Sequence, residues 1–176
     1  LAQRVWRKVT MAERAAILRR GYAVNRDAWI DGLSVLGVPI WQGSRVGGDD
    51  QGDVIRVTAS DVTIEGLIVR GSGIDLTAQN AGIYIQPGAH RAVVRDNYLV
   101  YNLFGLWIEQ ANDVVVSGNV ITGRRDVQSS QRGNGVQLYN TTGARILDNH
   151  VSFTRDGIYV DVSHHAVFRG NRMHDL

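Results

Sequence analysis

The sequence contains no cysteine and only two prolines among its 176 residues. The absence of cysteine excludes disulfides, thiolate metal sites and thiol catalysis. No apolar run approaches the roughly 20 residues that a membrane-spanning helix needs, so we expect a chain that does not span a membrane. The formal net charge is only +2 and the 19 Lys and Arg residues are scattered. This charge gives no indication of nucleic-acid binding.

Glycine, by contrast, is abundant, and part of it recurs with asparagine at a fixed period. The recurring residues are Gly82, Gly105, Gly135 and Gly157, and Asn97, Asn119, Asn149 and Asn171. The asparagines are 22, 30 and 22 residues apart. A period in the low twenties indicates a solenoid. We interpret the asparagines as a hydrogen-bonded structural ladder rather than as a binding row.

Three short apolar segments fill each period from residue 51 to residue 176. In the first segments, such as Ile83-Tyr-Ile and Ile158-Tyr-Val, two aliphatic residues flank one that should point outward. The third segments predict one inward column: Ile68, Leu99, Ile121, Val151 and Met173. Gly66 stands where the first rung should carry its asparagine. The pattern predicts an all-β, right-handed parallel β-helix with rungs of about 22 residues and three short strands per rung.

Residues 1–50 do not fit the repeat and form a separate predicted region. Thr10 and Glu13 match a capping box, and the apolar spacing behind them predicts a helix from Met11 to Tyr22. Such a helix could cap the first rung or bind a membrane or a partner; we favour the cap. Residues 29–50 predict an irregular first coil. The first residues lack a signal-peptide pattern, so we expect a removed leader or a fragment of a longer protein.

Two insertions interrupt the period, and both follow a third segment. They cover Gly71–Gln79 and Arg124–Arg132. Insertions at one repeat position project from one edge of a solenoid, and that edge is often the binding side.

The outward column of the first segments contains the aromatic residues Tyr84, Trp107 and Tyr159. An exposed row of this kind could stack on sugar rings, or it could pack only across the strands. The sequence leaves both interpretations open. Glu109 and Asp161 share a second outward column but lie two rungs apart. Because no tight carboxylate cluster appears, a polysaccharide-cleaving enzyme is less expected than a non-catalytic protein.

Histidine is the most informative residue type. His150 and His174 fall on the outward phase of adjacent third strands, so their Cβ atoms should be diagonal neighbours about 7–8 Å apart. Two imidazoles at that distance can share one metal ion. His164 and His165 fall on the turn before a second strand, and His90 occupies the same place as His164 in an earlier rung. Surface histidines without a ligand role are the alternative for each of them.

Three segments together resemble one known family. They are Gln131-Arg-Gly-Asn-Gly-Val-Gln-Leu, Gly143-Ala-Arg-Ile-Leu-Asp-Asn-His-Val and Arg155-Asp-Gly-Ile-Tyr-Val. They resemble the NosD family of β-helical periplasmic proteins that act in the maturation of nitrous oxide reductase. The resemblance covers about residues 53–176. Members of that family usually continue past Leu176, so the chain is expected to be the N-terminal half of such a protein or a truncated relative.

The resemblance implies a periplasmic partner of ABC transporter subunits. That partner would help to move Cu(I) from a copper-chaperone lipoprotein to the apo-reductase. With copper as the implied metal, His150 and His174 become the predicted ligands of a transient Cu(I) site. The alternative function is a polysaccharide-binding or -cleaving β-helix that uses the aromatic column.

Overall fold

The computed structural model describes the backbone of residues 45–47 and all atoms of residues 52–176. The predicted helix Met11–Tyr22 lies outside the described residues. Residues 45–176 form one compact unit. Its first strand, Arg45–Gly47, falls within the segment 29–50 that the sequence analysis assigns to an irregular first coil. The short strand forms because its backbone extends the ladder of the third sheet by one rung.

All strand pairs in the described residues are parallel, and they form three sheets. The first sheet contains β2 (Ile55–Val57), β5 (Ala81–Ile85), β8 (Phe104–Glu109), β11 (Val136–Tyr139) and β14 (Ile158–Asp161). The second contains β3 (Thr63–Glu65), β6 (Val93–Arg95), β9 (Val115–Ser117), β12 (Arg145–Leu147) and β15 (Val167–Arg169). The third contains β1 (Arg45–Gly47), β4 (Ile68–Arg70), β7 (Tyr98–Val100), β10 (Val120–Thr122), β13 (His150–Ser152) and β16 (Arg172–His174).

Consecutive strands of the chain belong to different sheets, and each strand pairs with its counterpart in a neighbouring rung. This is the topology of a parallel β-helix, and it confirms the predicted solenoid with three short strands per rung. The only helical element in the described part of the chain is a 3-10 turn at Ser129–Gln131. No helix within these residues is long and apolar enough to span a membrane.

The core is a stack of aliphatic side chains between the three sheets. In the third sheet the inward column is fully buried from Val69 to Val151 and ends at Met173. The prediction that Ile68 is the first member of this column is wrong. Ile68 pairs with Tyr98 on the outer face, whereas Val69 pairs with Leu99 and lies in the inward column.

The asparagine position of the first rung is also one residue later than predicted. Asn97 Oδ1 accepts a hydrogen bond from the backbone N–H of Leu67, so Leu67 and not Gly66 stands at that position. Gly66, with φ of 69°, instead adopts the left-handed conformation also taken by Asp96, whose φ is 54°. This corner needs a residue that tolerates positive φ immediately before the third strand.

The four asparagines form the predicted ladder. Each of the first three donates a hydrogen bond to the next one: Asn97 Nδ2 donates to Asn119 Oδ1, Asn119 Nδ2 to Asn149 Oδ1, and Asn149 Nδ2 to Asn171 Oδ1, at 2.9–3.0 Å. The same Oδ1 atoms also accept from the backbone N–H of the preceding asparagine. The first three are buried, which makes a satisfied network necessary.

The recurring glycines let the first strands approach the third sheet closely. A Cβ atom at Gly135 would collide with Val151 Cγ1 and would lie 2.5 Å from the carbonyl oxygen of Gly157. A Cβ at Gly105 would lie 2.5 Å from Ile121 Cγ2. The aliphatic column of the third sheet therefore already occupies the space that a side chain at Gly105 or Gly135 would need.

Both insertions leave the solenoid after a third strand, at the edge that the sequence predicts. In the second insertion, Arg124 Nη2 donates to Asp126 Oδ2 at 2.7 Å. This hydrogen bond lowers the pKa of Asp126 to about 2. The Arg125 guanidinium lies 3.8 Å from the centre of the Phe153 ring. The insertion is therefore fastened to the outer edge of the third sheet.

Candidate functional site

His150 and His174 meet on the outer face of the third sheet. His150 begins β13 and His174 ends β16, and the register pairs Ser152 with His174. Because the intervening Val151 and Met173 point inward, both imidazoles point outward. Their Nε2 atoms are 2.5 Å apart and their ring centres 4.8 Å apart. The structure brings the two predicted residues together.

A carboxylate that the sequence analysis missed holds one of the two rings. Asp175 Oδ2 lies 2.8 Å from His174 Nδ1. The backbone carbonyl of Asp175 accepts a hydrogen bond from the N–H of Phe153 at 3.0 Å, and Asp175 has φ of 52°. This turn folds the carboxylate back toward the ring of the preceding residue. The sequence shows that Asp175 follows His174, but the contact depends on the left-handed turn at Asp175.

The pair offers two nitrogen ligands and no more from its own surroundings. No group of three or more His, Cys, Asp or Glu side chains suited to a metal exists within residues 52–176. Met173 is not a third ligand, because its Sδ lies inward against Gly157. Both histidines are half-buried, so the outer side of the pair remains accessible to solvent.

The distance between the two Nε2 atoms can be compared with the distance between two imidazole nitrogens that share one metal ion. Imidazole–metal bonds of about 2 Å place two ligand nitrogens about 3–4 Å apart, depending on the angle at the metal. The Nε2 atoms at 2.5 Å would therefore have to separate by roughly 0.5–1.5 Å, with the larger value for a linear two-coordinate ion. Rotation of the partly exposed His150 side chain provides that movement, so the residues fit a two-coordinate cation.

The other histidines lie at a different corner of the rungs, between the first and second sheets. The N–H of Asn112 donates to His90 Nδ1 at 3.0 Å, and Thr142 forms a bridge with His164. These contacts belong to a column of turn residues and confirm that His90 and His164 occupy equivalent positions. None of these histidines joins the His150–His174 pair.

The predicted aromatic column exists in register but is not an exposed row. Tyr84 pairs with Trp107, and Gln137 pairs with Tyr159. Trp107 is only 8% exposed and packs edge-on against Phe104 with ring centres 5.0 Å apart. The expectation that Trp107 belongs to an exposed stacking surface is wrong, because Phe104 and neighbouring apolar residues cover the indole.

The exposed aromatic residues of the first sheet are arranged differently from the prediction. Tyr159 is 44% exposed and Tyr139, which the sequence analysis missed, is 36% exposed. Tyr139 lies between Glu109 and Asp161 in the second outward column. The two carboxylates are thus two rungs apart, as predicted. Tyr139 lies two positions after Gln137 and therefore on the same face of the strand, and this spacing was the signal for it in the sequence.

Tyr84 is half-buried and donates its hydroxyl to Glu109 Oε2 at 2.6 Å. Burial, with the hydrogen bond to Glu109 and the charge of that carboxylate, raises the pKa of Tyr84 to about 12 from 10. The folded state therefore holds the phenolic proton more tightly than the unfolded state does. The contribution of the Tyr84 hydroxyl to the free energy of unfolding is fully present below pH 10 and is lost as the pH rises toward 12.

We expect the free energy of unfolding to fall more steeply between pH 10 and pH 12 in the parent than in Tyr84→Phe. The measurement is denaturant unfolding at a series of pH values, with tyrosinate absorbance followed in parallel. Equal slopes in the two proteins would contradict the effect of Tyr84.

Comparison with known proteins gives one family and two relatives. The family model described as a right-handed β-helix region matches residues 51–176. A protein of Stutzerimonas stutzeri named "Probable ABC transporter binding protein NosD" is 39% identical over 115 residues, which are 65% of this chain and 26% of that protein. A protein of the same name from Pseudomonas aeruginosa is 36% identical over 115 residues, 65% of this chain and 27% of that protein. The chain spans about a quarter of the length of these relatives.

Proposed function

The chain belongs to the right-handed β-helix family, and on that premise we propose that it is a non-catalytic accessory protein in copper-site maturation of nitrous oxide reductase. In this role it receives Cu(I) and passes it on. The observation that carries the proposal is the convergence of His150 Nε2 and His174 Nε2 on an accessible outer face. The similarity to two NosD proteins supports the same assignment.

The donor set suits Cu(I). Neutral imidazole nitrogens bind copper well, and the sequence contains no cysteine that could compete for the ion. Two ligands on an open face form an incomplete site, so binding should be weak and the ion should be transferable. A protein that relays a metal requires these properties.

The partners belong to the proposal as well. The relatives carry the name of an ABC transporter binding protein, and we extend that role to this chain. A copper-chaperone lipoprotein would supply Cu(I) and the apo-reductase would receive it, with the exchange taking place in the periplasm. The outer face of the third sheet, with the histidine pair, would then meet the chaperone.

Competition titration with a Cu(I) chelator tests the proposal. In His150→Ala and in His174→Ala, Cu(I) affinity should fall by more than the roughly 10- to 100-fold cost of losing an outer-shell partner. The matched control is His164→Ala, which removes an exposed histidine from the corner between the other two sheets. Its affinity should equal that of the parent.

Two results would contradict the copper assignment. An equal loss in all three variants would mean that Cu(I) binds surface histidines without selectivity. No loss in His150→Ala would mean that the pair is not the site.

A further inference from the structure

The two imidazoles of the pair are held unequally. His174 has a partner at each ring nitrogen: Asp175 Oδ2 at Nδ1 and His150 at Nε2. His150 has a partner only at Nε2, and within residues 52–176 no hydrogen bond reaches its Nδ1 atom. His174 is therefore held at both ring nitrogens, whereas His150 is held at Nε2 alone.

The carboxylate also determines which nitrogen of His174 carries the proton. An ionised carboxylate can only accept hydrogen bonds, so His174 Nδ1–H donates to Asp175. In the neutral ring the lone pair then lies on Nε2 and points at His150. The contact between the two Nε2 atoms is then a hydrogen bond in which His150 Nε2–H donates to that lone pair. One proton thus lies between the nitrogens, where a shared cation would bind.

A cation that replaces this proton changes the two rings differently. His174 keeps its tautomer and its orientation, because Asp175 stays in place. His150 must carry its proton on Nδ1 instead and rotate away to lengthen the nitrogen separation. The Nδ1 atom that receives the proton is the one without a partner in the described residues, so no existing hydrogen bond is broken.

We propose that Asp175 is a positioning residue that makes His174 the anchoring ligand of the pair and His150 the exchangeable one. The inference rests on the proposed function and adds to it the order in which the ligands act. The cation binds first to the fixed Nε2 atom of His174, and it dissociates from that atom last. Handover to a partner begins when His150 rotates off the cation and returns its proton to Nε2.

The first test needs no metal. Nitrogen NMR of the histidine rings in the apo-protein should show His174 as the Nδ1–H tautomer. Asp175→Gly removes the carboxylate and suits the positive φ of this position, and it should give a mixture of tautomers. Asp175→Asn keeps an acceptor oxygen and tolerates the same φ, and it should retain the Nδ1–H tautomer. An Nε2–H tautomer at His174 in the parent would overturn the inference.

The matched control is Asp113→Gly. Asp113 is also exposed and also has positive φ, at 57°, but lies on the turn between the first and second sheets. Its replacement should leave the His174 tautomer unchanged. A tautomer change in Asp113→Gly equal to that in Asp175→Gly would show a general effect of the substitution and would overturn the role of Asp175.

The second test uses Cu(I) competition with the same variants. Asp175→Gly should lose about 10- to 100-fold in affinity, the usual cost of removing an outer-shell partner, and Asp175→Asn should recover most of it. The residual affinity of His150→Ala should exceed that of His174→Ala, because the anchored ring remains in the former.

The outcomes separate this inference from the proposed function. Parent binding that depends on both histidines but is unaffected in Asp175→Gly would overturn the positioning role and leave the copper function intact. Parent protein that does not bind Cu(I) would overturn the copper function, and with it the ligand order. In that case the tautomer measurement would still decide whether Asp175 positions His174.

Discussion

Ile121→Asp should lower the free energy of unfolding by about 4 kcal/mol or more, because it places an unpaired carboxylate in a dry aliphatic column. Ile121 is 1% exposed and lies between Leu99 and Val151 in the third sheet. The column offers no hydrogen-bond donor to an aspartate side chain. Denaturant unfolding followed by circular dichroism measures the loss.

The matched control is Val120→Asp on the same strand. Val120 is 39% exposed and points away from the core, so its replacement should cost about 1 kcal/mol or less, mainly through lower strand propensity. If both variants unfold like the parent, or if the two cost the same, the assignment of inward and outward positions in β10 is wrong.

Asn119→Ala should have the second-largest effect, about 3–5 kcal/mol, because one substitution leaves several buried groups without partners. Asn119 Oδ1 accepts from the backbone N–H and from Nδ2 of Asn97, and Asn119 Nδ2 donates to the carbonyl of Val94. All these groups lie inside the solenoid, where water cannot replace the lost partner.

Asn171→Ala provides the comparison within the same ladder. Asn171 accepts the same two hydrogen bonds from Asn149 but is only half-buried. Water can reach its position, so the cost should be smaller by at least about 1 kcal/mol. Equal costs at the two positions would contradict the view that burial makes the ladder important.

The sequence could predict the ladder and the rungs because both depend on periodic residues. Glycine recurs at or just before the start of the first strands and asparagine before the third strands, and the alternation of aliphatic and polar residues assigns most inward positions. The predicted first rung is out of register by one residue because the pattern places Gly66 at the asparagine position, whereas Gly66 matches the turn residue Asp96 that precedes Asn97. A glycine can occupy either the turn position or the asparagine position, so the residue type alone could not distinguish between the two.

The outer surface was predicted less well because its packing is not periodic. Alternation correctly placed Trp107 outside the core. It could not indicate that Phe104 folds over the indole, since that contact depends on how the chain enters β8. Residues outside the solenoid core can form a second apolar cluster, and no repeat in the sequence marks it.

The histidine pair was predictable and its carboxylate was not. Strand alternation and the common period were enough to place His150 beside His174. The contact with Asp175 depends on a left-handed turn directly after β16, which brings the side chain back over the ring. Neither strand periodicity nor residue spacing describes the conformation of one turn residue.

X-ray absorption at the copper edge of the Cu(I)-loaded protein tests the central claim most directly. The spectrum should show two nitrogen ligands at about 2 Å, with the outer-shell scattering of two imidazole rings. In His150→Ala the contribution of one ring should disappear. A spectrum that is unchanged in His150→Ala, or one dominated by the sulfur of Met173, would contradict a shared site between His150 and His174.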